Sequence, residues 1–123
     1  MAKALYLVYT NCDEGREAEF NDWYDNTHLR DLLSVDGIVG AQRFRLTGPG
    51  PQTVTRSGEP AVAQYLAIYE LDTEDTDAVL ERIGAARGQW QMFDGIQMVA
   101  GARYVALGEQ QTAGAAPAAA TTS

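Results

Sequence analysis

The stretch EFNDWYDNTHLRDLLSVDGIVGAQRF, Glu19 to Phe44, changes its hydrophobic period midway. Phe20, Tyr24, His28 and Leu32 recur every four residues, which sets them along one side of a helix. After Gly37 the period shortens towards two, so that Arg43 and Arg45 face away from Phe44 and Leu46. SVDGI lies between the two patterns, and Gly37 there supplies a permissive turn. The spacing therefore predicts a helix from Arg16 to about Leu33 and a strand from Gly37 to Leu46. Asp13 or Asn11 is expected to cap the helix.

Working outward, ALYLVYT, Ala4 to Thr10, is rich in strand-forming residues, and NCDEG then breaks the pattern. On the other side, TGPGPQTVTRSGEP carries Pro49, Pro51 and Pro60 and reads as a long loop. AVAQYLAIYEL, Ala61 to Leu71, is a third strand. Asp72 to Gly88 begins with the acidic run DTEDTD, which suits a helix N-terminus, and continues as helix. QWQMFDGIQM fits either a loop or a short helix, and MVAGARYVAL, Met98 to Leu107, is a fourth strand. From Gly108 the chain is low in complexity and poor in large apolar residues. Residues 1–107 are expected to form one domain and 108–123 a disordered Ala/Thr/Gly-rich tail.

The order strand, helix, strand, strand, helix, strand is the split βαβ arrangement. It implies an α+β, ferredoxin-like βαββαβ sandwich, with a four-stranded antiparallel sheet and two helices on one face. Tyr65, Ala67, Tyr69 and Leu71 point one way in the third strand, and Leu66 and Ile68 point the other. A sheet apolar on both faces calls for a partner sheet, and a homodimer is the expected solution.

Composition removes several function classes. The chain has 123 residues, 46% hydrophobic and 21% charged, as in an ordinary soluble domain. A net charge of −8 opposes binding to nucleic acid and to anionic membrane surfaces. No apolar run reaches the roughly 20 residues that span a bilayer, and the apolar start is too short for a signal peptide, so a cytoplasmic protein is expected. Cys12 is the sole cysteine, which excludes an internal disulfide; it is read as a structural or incidental thiol. Asp25 and His28 offer two metal ligands, but no second histidine or cysteine pair completes a set, so no metal is expected. GPGPQ is no nucleotide-binding fingerprint, since it does not join a strand to a helix.

Chemistry centres on the only histidine. Tyr24 and His28, four apart, meet on one helix face, and Asp25 and Asp31 stand three residues either side of the histidine. A carboxylate bonded to the ring would fix its tautomer and raise its basicity. A histidine base and a phenol donor suffice to remove a proton next to a carbonyl and polarise that carbonyl. Elimination of water or an aldol-type closure needs little more. The competing assignment makes His28 structural, bonded to a backbone carbonyl, with Tyr24 and Phe20 in the core. Phe20, Tyr9, Tyr65, Trp90 and Phe93 are candidates to line an apolar pocket for a flat ligand, with Trp90 and Phe93 as its lid.

The segments FNDWYDNTHL and LLSVDGI, set in this element order, resemble the EthD-like branch of the dimeric α/β-barrel superfamily. The resemblance covers about Ala4 to Leu107. It implies that two sheets pair into a barrel across a dimer. It also implies a cofactor-independent enzyme, a lyase of dehydratase or cyclase type acting on an aromatic or polyketide-like small molecule. A cofactor-free oxygenase of phenolic substrates, a dimer that binds a small molecule without converting it, and a structural subunit are the alternatives. Some members bind haem, but nothing in this sequence selects it. The family's helix-borne histidine and preceding tyrosine correspond to His28 and Tyr24. Many relatives place a proline two residues after the histidine, where this chain has Arg30.

Overall fold

The computed structural model describes residues 3–47 and 63–114. In chain order these form β1 (Lys3–Cys12), α1 (Glu17–Trp23), a π-helical turn (Tyr24–His28), α2 (Leu29–Leu33), β2 (Ile38–Arg45), β3 (Tyr65–Asp72), α3 (Thr76–Arg87) and β4 (Ile96–Val105). The strands make one antiparallel sheet in the order β2-β3-β1-β4. With both helical segments on one face this is the ferredoxin-like α+β sandwich. The expected long loop lies largely outside the described residues, as do Ala61 and Val62 of the expected third strand and the tail beyond residue 114.

The helix expected over Arg16–Leu33 runs as one rod through α1, the π turn and α2, and Arg30 does not interrupt it. Its start departs from expectation. Arg16 is the capping residue and makes no side-chain cap bond. The Asn11 carboxamide oxygen instead accepts from Gln64 N–H, and the Asp13 carboxylate from the Gln97 side chain. Both candidate caps are spent on joining strands and loops. In α3 the acidic run does cap: the Asp75 carboxylate accepts from Ala78 N–H. QWQMFDG is irregular and leads into β4 at Ile96, two residues earlier than expected.

Alternation along the central strands sorts side chains between the two faces. Ala4, Val8, Tyr65, Ala67, Tyr69 and Leu71 are buried towards the helices, where Phe20, Tyr24 and Leu32 meet them from the first rod and Val79 and Ile83 from α3. Each such large side chain contributes about 1.5–3 kcal/mol by leaving water. The turn after α2 requires Gly37: its φ is 102°, and a Cβ there would lie 2.8 Å from Val79 Cγ2. The other face carries Leu5, Leu7 and Tyr9 from β1, Leu66 and Ile68 from β3, Phe44 from β2 and Tyr104 from β4. Among the described residues nothing covers it: Phe44 is 42% and Tyr104 56% exposed. Among the described residues no helix is long and apolar enough to cross a membrane.

Candidate active site

The four-residue row of the first helix is buried as a unit, with His28 only 5% exposed. Within it the backbone widens: Leu29 N–H bonds to Tyr24 C=O, a five-residue span in place of the α-helical four. In an α-helix, residues five apart diverge by about 140° around the axis. The π turn instead brings Trp23 over His28, the rings stacked with centroids 4.5 Å apart and planes at 20°. Tyr24 meets the imidazole edge-on at 4.9 Å and Trp90 does so at 5.9 Å. Three aromatic rings thus hold the orientation of the only histidine.

No carboxylate takes part. Asp25 is drawn into an ion pair with Arg43 at 2.9 Å, and among the described residues Asp31 Oδ2 is buried without a partner. His28 Nδ1 is likewise buried with no hydrogen bond among the described residues. The expectation that Asp25 or Asp31 orients the ring and raises its basicity is corrected. Burial, reinforced by the positive charge of Arg87, pushes the His28 pKa down to about 4. With its pKa lowered, the imidazole is neutral at pH 7.

The Tyr24 hydroxyl reaches across to the sheet and shares a 2.9 Å hydrogen bond with Tyr69. Burial pushes both phenols above the ordinary tyrosine range, so both keep their protons. Only one of the two protons is used in that bond, leaving the other for a further acceptor. Arg43, its side chain 10% exposed, braces the arrangement from the β2 side. Its guanidinium lies 4.4 Å from the Tyr24 ring centroid and bonds the Asn21 side chain at 2.8 Å.

Tyr24, His28 and Tyr69 share a cavity of about 20 Å³ with Tyr6, Val8, Leu32, Ile83, Arg87, Met92, Ile96 and Met98. That is room for about one water. The other expected lining residues fall in different places. Phe20 is fully buried and packs on Trp23, Tyr24, Tyr65 and Phe93 as a core ring. Tyr65 is buried beside Phe20 and accepts from Asn21. Tyr9 sits on the opposite face of the sheet, beside Phe44 and Leu66, which removes it from the His28 cavity. Strand parity decides this, since neighbours along a strand point to opposite faces. Trp90 meets His28 edge-on, whereas Phe93 packs near the start of the helix, stacked on Trp23 at 5.8 Å and 5.8 Å from Phe20.

Trp23, Tyr69, Tyr6 and Arg87 are the members of the site that sequence spacing did not select. Arg87 was legible in principle, because Val79, Ile83 and Arg87 form a row at four-residue intervals on α3. Trp23 was not, because its contact depends on the π turn. Among the described residues, no group of three or more His, Cys, Asp and Glu side chains is gathered in the manner of a metal site.

No protein-family model and no curated protein matches the chain. Among solved structures, it is similar to HapK from Hahella chejuensis, with a TM-score of 0.60 and 16% identity over 93% of this chain and 100% of that one. An ethyl tert-butyl ether D (EthD) family protein from Bacillus halodurans C-125 is similar at a TM-score of 0.40 and 17% identity, covering 90% of this chain and 100% of that one. The fold expected from the EthD-like resemblance is the fold found, and it is the one that the chain shares with HapK.

Proposed function

We propose that the protein is a small, cytoplasmic, cofactor-independent lyase of dehydratase or cyclase type, working as a homodimer on an aromatic or polyketide-like molecule. His28 Nδ1 carries the proposal: a buried nitrogen with no partner among the described residues, in a ring fixed by three aromatic neighbours. Leaving a buried polar atom unpaired costs about 1–3 kcal/mol. A purely structural histidine avoids that cost by bonding a backbone carbonyl.

With its proton on Nε2, the neutral ring presents Nδ1 as a base. A proton next to a substrate carbonyl moves to Nδ1, and its electron pair becomes an enolate. The hydroxyl proton left over from the Tyr24–Tyr69 pair donates to the enolate oxygen. Arg87 opposes an isolated imidazolium but favours the enolate that forms with it. In dehydration the β-hydroxyl departs as the enolate collapses to the alkene and takes the proton from His28, leaving as water. Asp25 acts here through Arg43, as a support of Tyr24, and Asp31 has no direct part. The uncovered apolar sheet face supports the dimer.

The test is His28→Gln, assayed by absorbance for water loss from a panel of phenolic β-hydroxycarbonyl compounds. Glutamine keeps polarity and size without basicity, and turnover should fall roughly 100- to 10,000-fold. Parental turnover combined with a lower melting temperature would make His28 structural and end the proposal.

A further inference from the structure

The cavity at His28 has about 20 Å³ and no ring-sized molecule fits in it, so something must move before a ligand meets the imidazole. The irregular segment between α3 and β4, Gln89 to Gly95, is placed to do so. Trp90 rests edge-on against His28, Met92 lines the cavity and Phe93 stacks on Trp23. None of the residues between Trp90 and Gly95 belongs to a helix or a strand.

The segment is fastened to the first helix at two points. The Trp23 indole N–H donates to Gln91 C=O at 2.7 Å. Arg16 pairs with Asp94 at 2.8 Å and lies over the Phe93 ring at 4.4 Å. A Cβ at Gly95 would meet Phe93 at 2.8 Å and Arg16 at 2.9 Å, so a larger residue there would displace both side chains of the second fastening. The Arg16–Asp94 pair is exposed and contributes little. The indole donates the shorter bond, 2.7 Å, and the same indole is stacked on the imidazole.

We infer that Gln89–Gly95 is a strap that opens to admit ligand to the His28 cavity, and that Trp23 is both its latch and the positioning residue of His28. When the strap lifts, Trp23 loses its acceptor, and the imidazole loses Trp90 and the anchored face of its stack. When the strap closes over a ligand, the bond to Gln91 re-forms and sets the ring plane again. Access to the base and orientation of the base are then one event. The inference concerns the same site as the proposed lyase and deepens that proposal.

His28 is the only histidine, so its carbethoxylation by diethyl pyrocarbonate, followed by absorbance, reads the opening without any substrate or turnover. Trp23→Phe keeps an aromatic ring on the imidazole and removes the indole donor. It should raise the modification rate roughly 3- to 10-fold, as expected for losing one hydrogen bond that holds the closed state. Asp94→Asn should raise it less. Tyr6→Ala serves as the control, because Tyr6 divides this cavity from the larger groove of about 490 Å³ between α3 and β4. Rates unchanged in Trp23→Phe and Asp94→Asn, both melting as the parent does, would overturn the strap. So would acceleration in Tyr6→Ala alone, which would place the entrance at the α3–β4 groove. Neither result touches the lyase proposal, which stands or falls on turnover by His28→Gln.

Discussion

The hydroxyls of Tyr24 and Tyr69 meet at 2.9 Å across the boundary between helix and sheet, although the residues are 45 apart in the chain. Each residue is about 1% exposed and bonds the other, and Tyr6 packs 6.0 Å from the Tyr69 ring. Deleting one hydroxyl leaves the other unpaired. Tyr24→Phe and Tyr69→Phe should each cost about 1–3 kcal/mol. The double variant should cost less than their sum, with a coupling of roughly 0.5–3 kcal/mol in a urea denaturation cycle. Tyr24→Phe should also slow turnover roughly 10- to 1000-fold if the pair donates to developing charge.

Acid should destabilise the protein through His28. Its pKa is about 4 in the folded protein and about 6.5 when unfolded. As pH falls below about 6.5 the unfolded chain takes up the proton first, so stability declines towards about pH 4 and this contribution then levels off. Above about 6.5 the group adds no slope. Urea midpoints measured from pH 4 to 7.5 should show that decline in the parent and a shallower one in His28→Gln. The rate should likewise hold to lower pH than an ordinary histidine base allows, since the base is already neutral there.

Arg43 joins the π turn to β2. It bonds Asn21 and Asp25 and lies over the rings of Phe20, Tyr24 and Tyr65. Arg43→Met keeps most of the apolar stem and removes the guanidinium. The expected loss is about 1–2 kcal/mol, from the cation–π contact and the Asn21 bond, since the exposed Asp25 pair adds little. Arg43→Lys should recover only part of it, because an ammonium lacks the planar fork. Hydrogen exchange at the Leu29 amide, the donor of the five-residue bond, should speed up in both variants.

The open face of the sheet predicts the assembly. Ile68 stands at the centre of that face, paired with Leu7 and Gln42. Light scattering should give twice the protomer mass for the parent and one protomer mass for Ile68→Glu. A monomeric parent at micromolar concentration would remove the dimer.

Backbone pairing at the C-terminal edge ends where Ala106 N–H meets Lys3 C=O, and Leu107 is fully exposed. Truncation after Leu107 should therefore leave the mass of the assembly and the thermal midpoint nearly unchanged.

The order of elements was legible in the sequence because local chemistry suffices to write it. Alternation in AVAQYLAIYEL, the four-residue row from Phe20 to Leu32 and the turn at Gly37 each act within a few residues. Those same patterns put Tyr24 and His28 on one face and singled out the histidine. Element ends were less secure, because Asn11 and Asp13 found partners far along the chain in Gln64 and Gln97.

What surrounds the histidine was decided by tertiary structure. Spacing alone offers Asp25 and Asp31 as its neighbours, yet Arg43, from a different strand, claims Asp25, and burial lowers the pKa that a carboxylate would have raised. Tyr9 and Tyr69 are both strand tyrosines, and only the packing of the helices onto one face separates the one that joins the site from the one that does not. Trp23 reaches His28 through a π turn, a change of one residue in hydrogen-bond span that no periodicity of side chains announces. Periodicity names the face of an element. The partner across that face, and the charge it carries there, follow from which elements pack together and how much water they exclude.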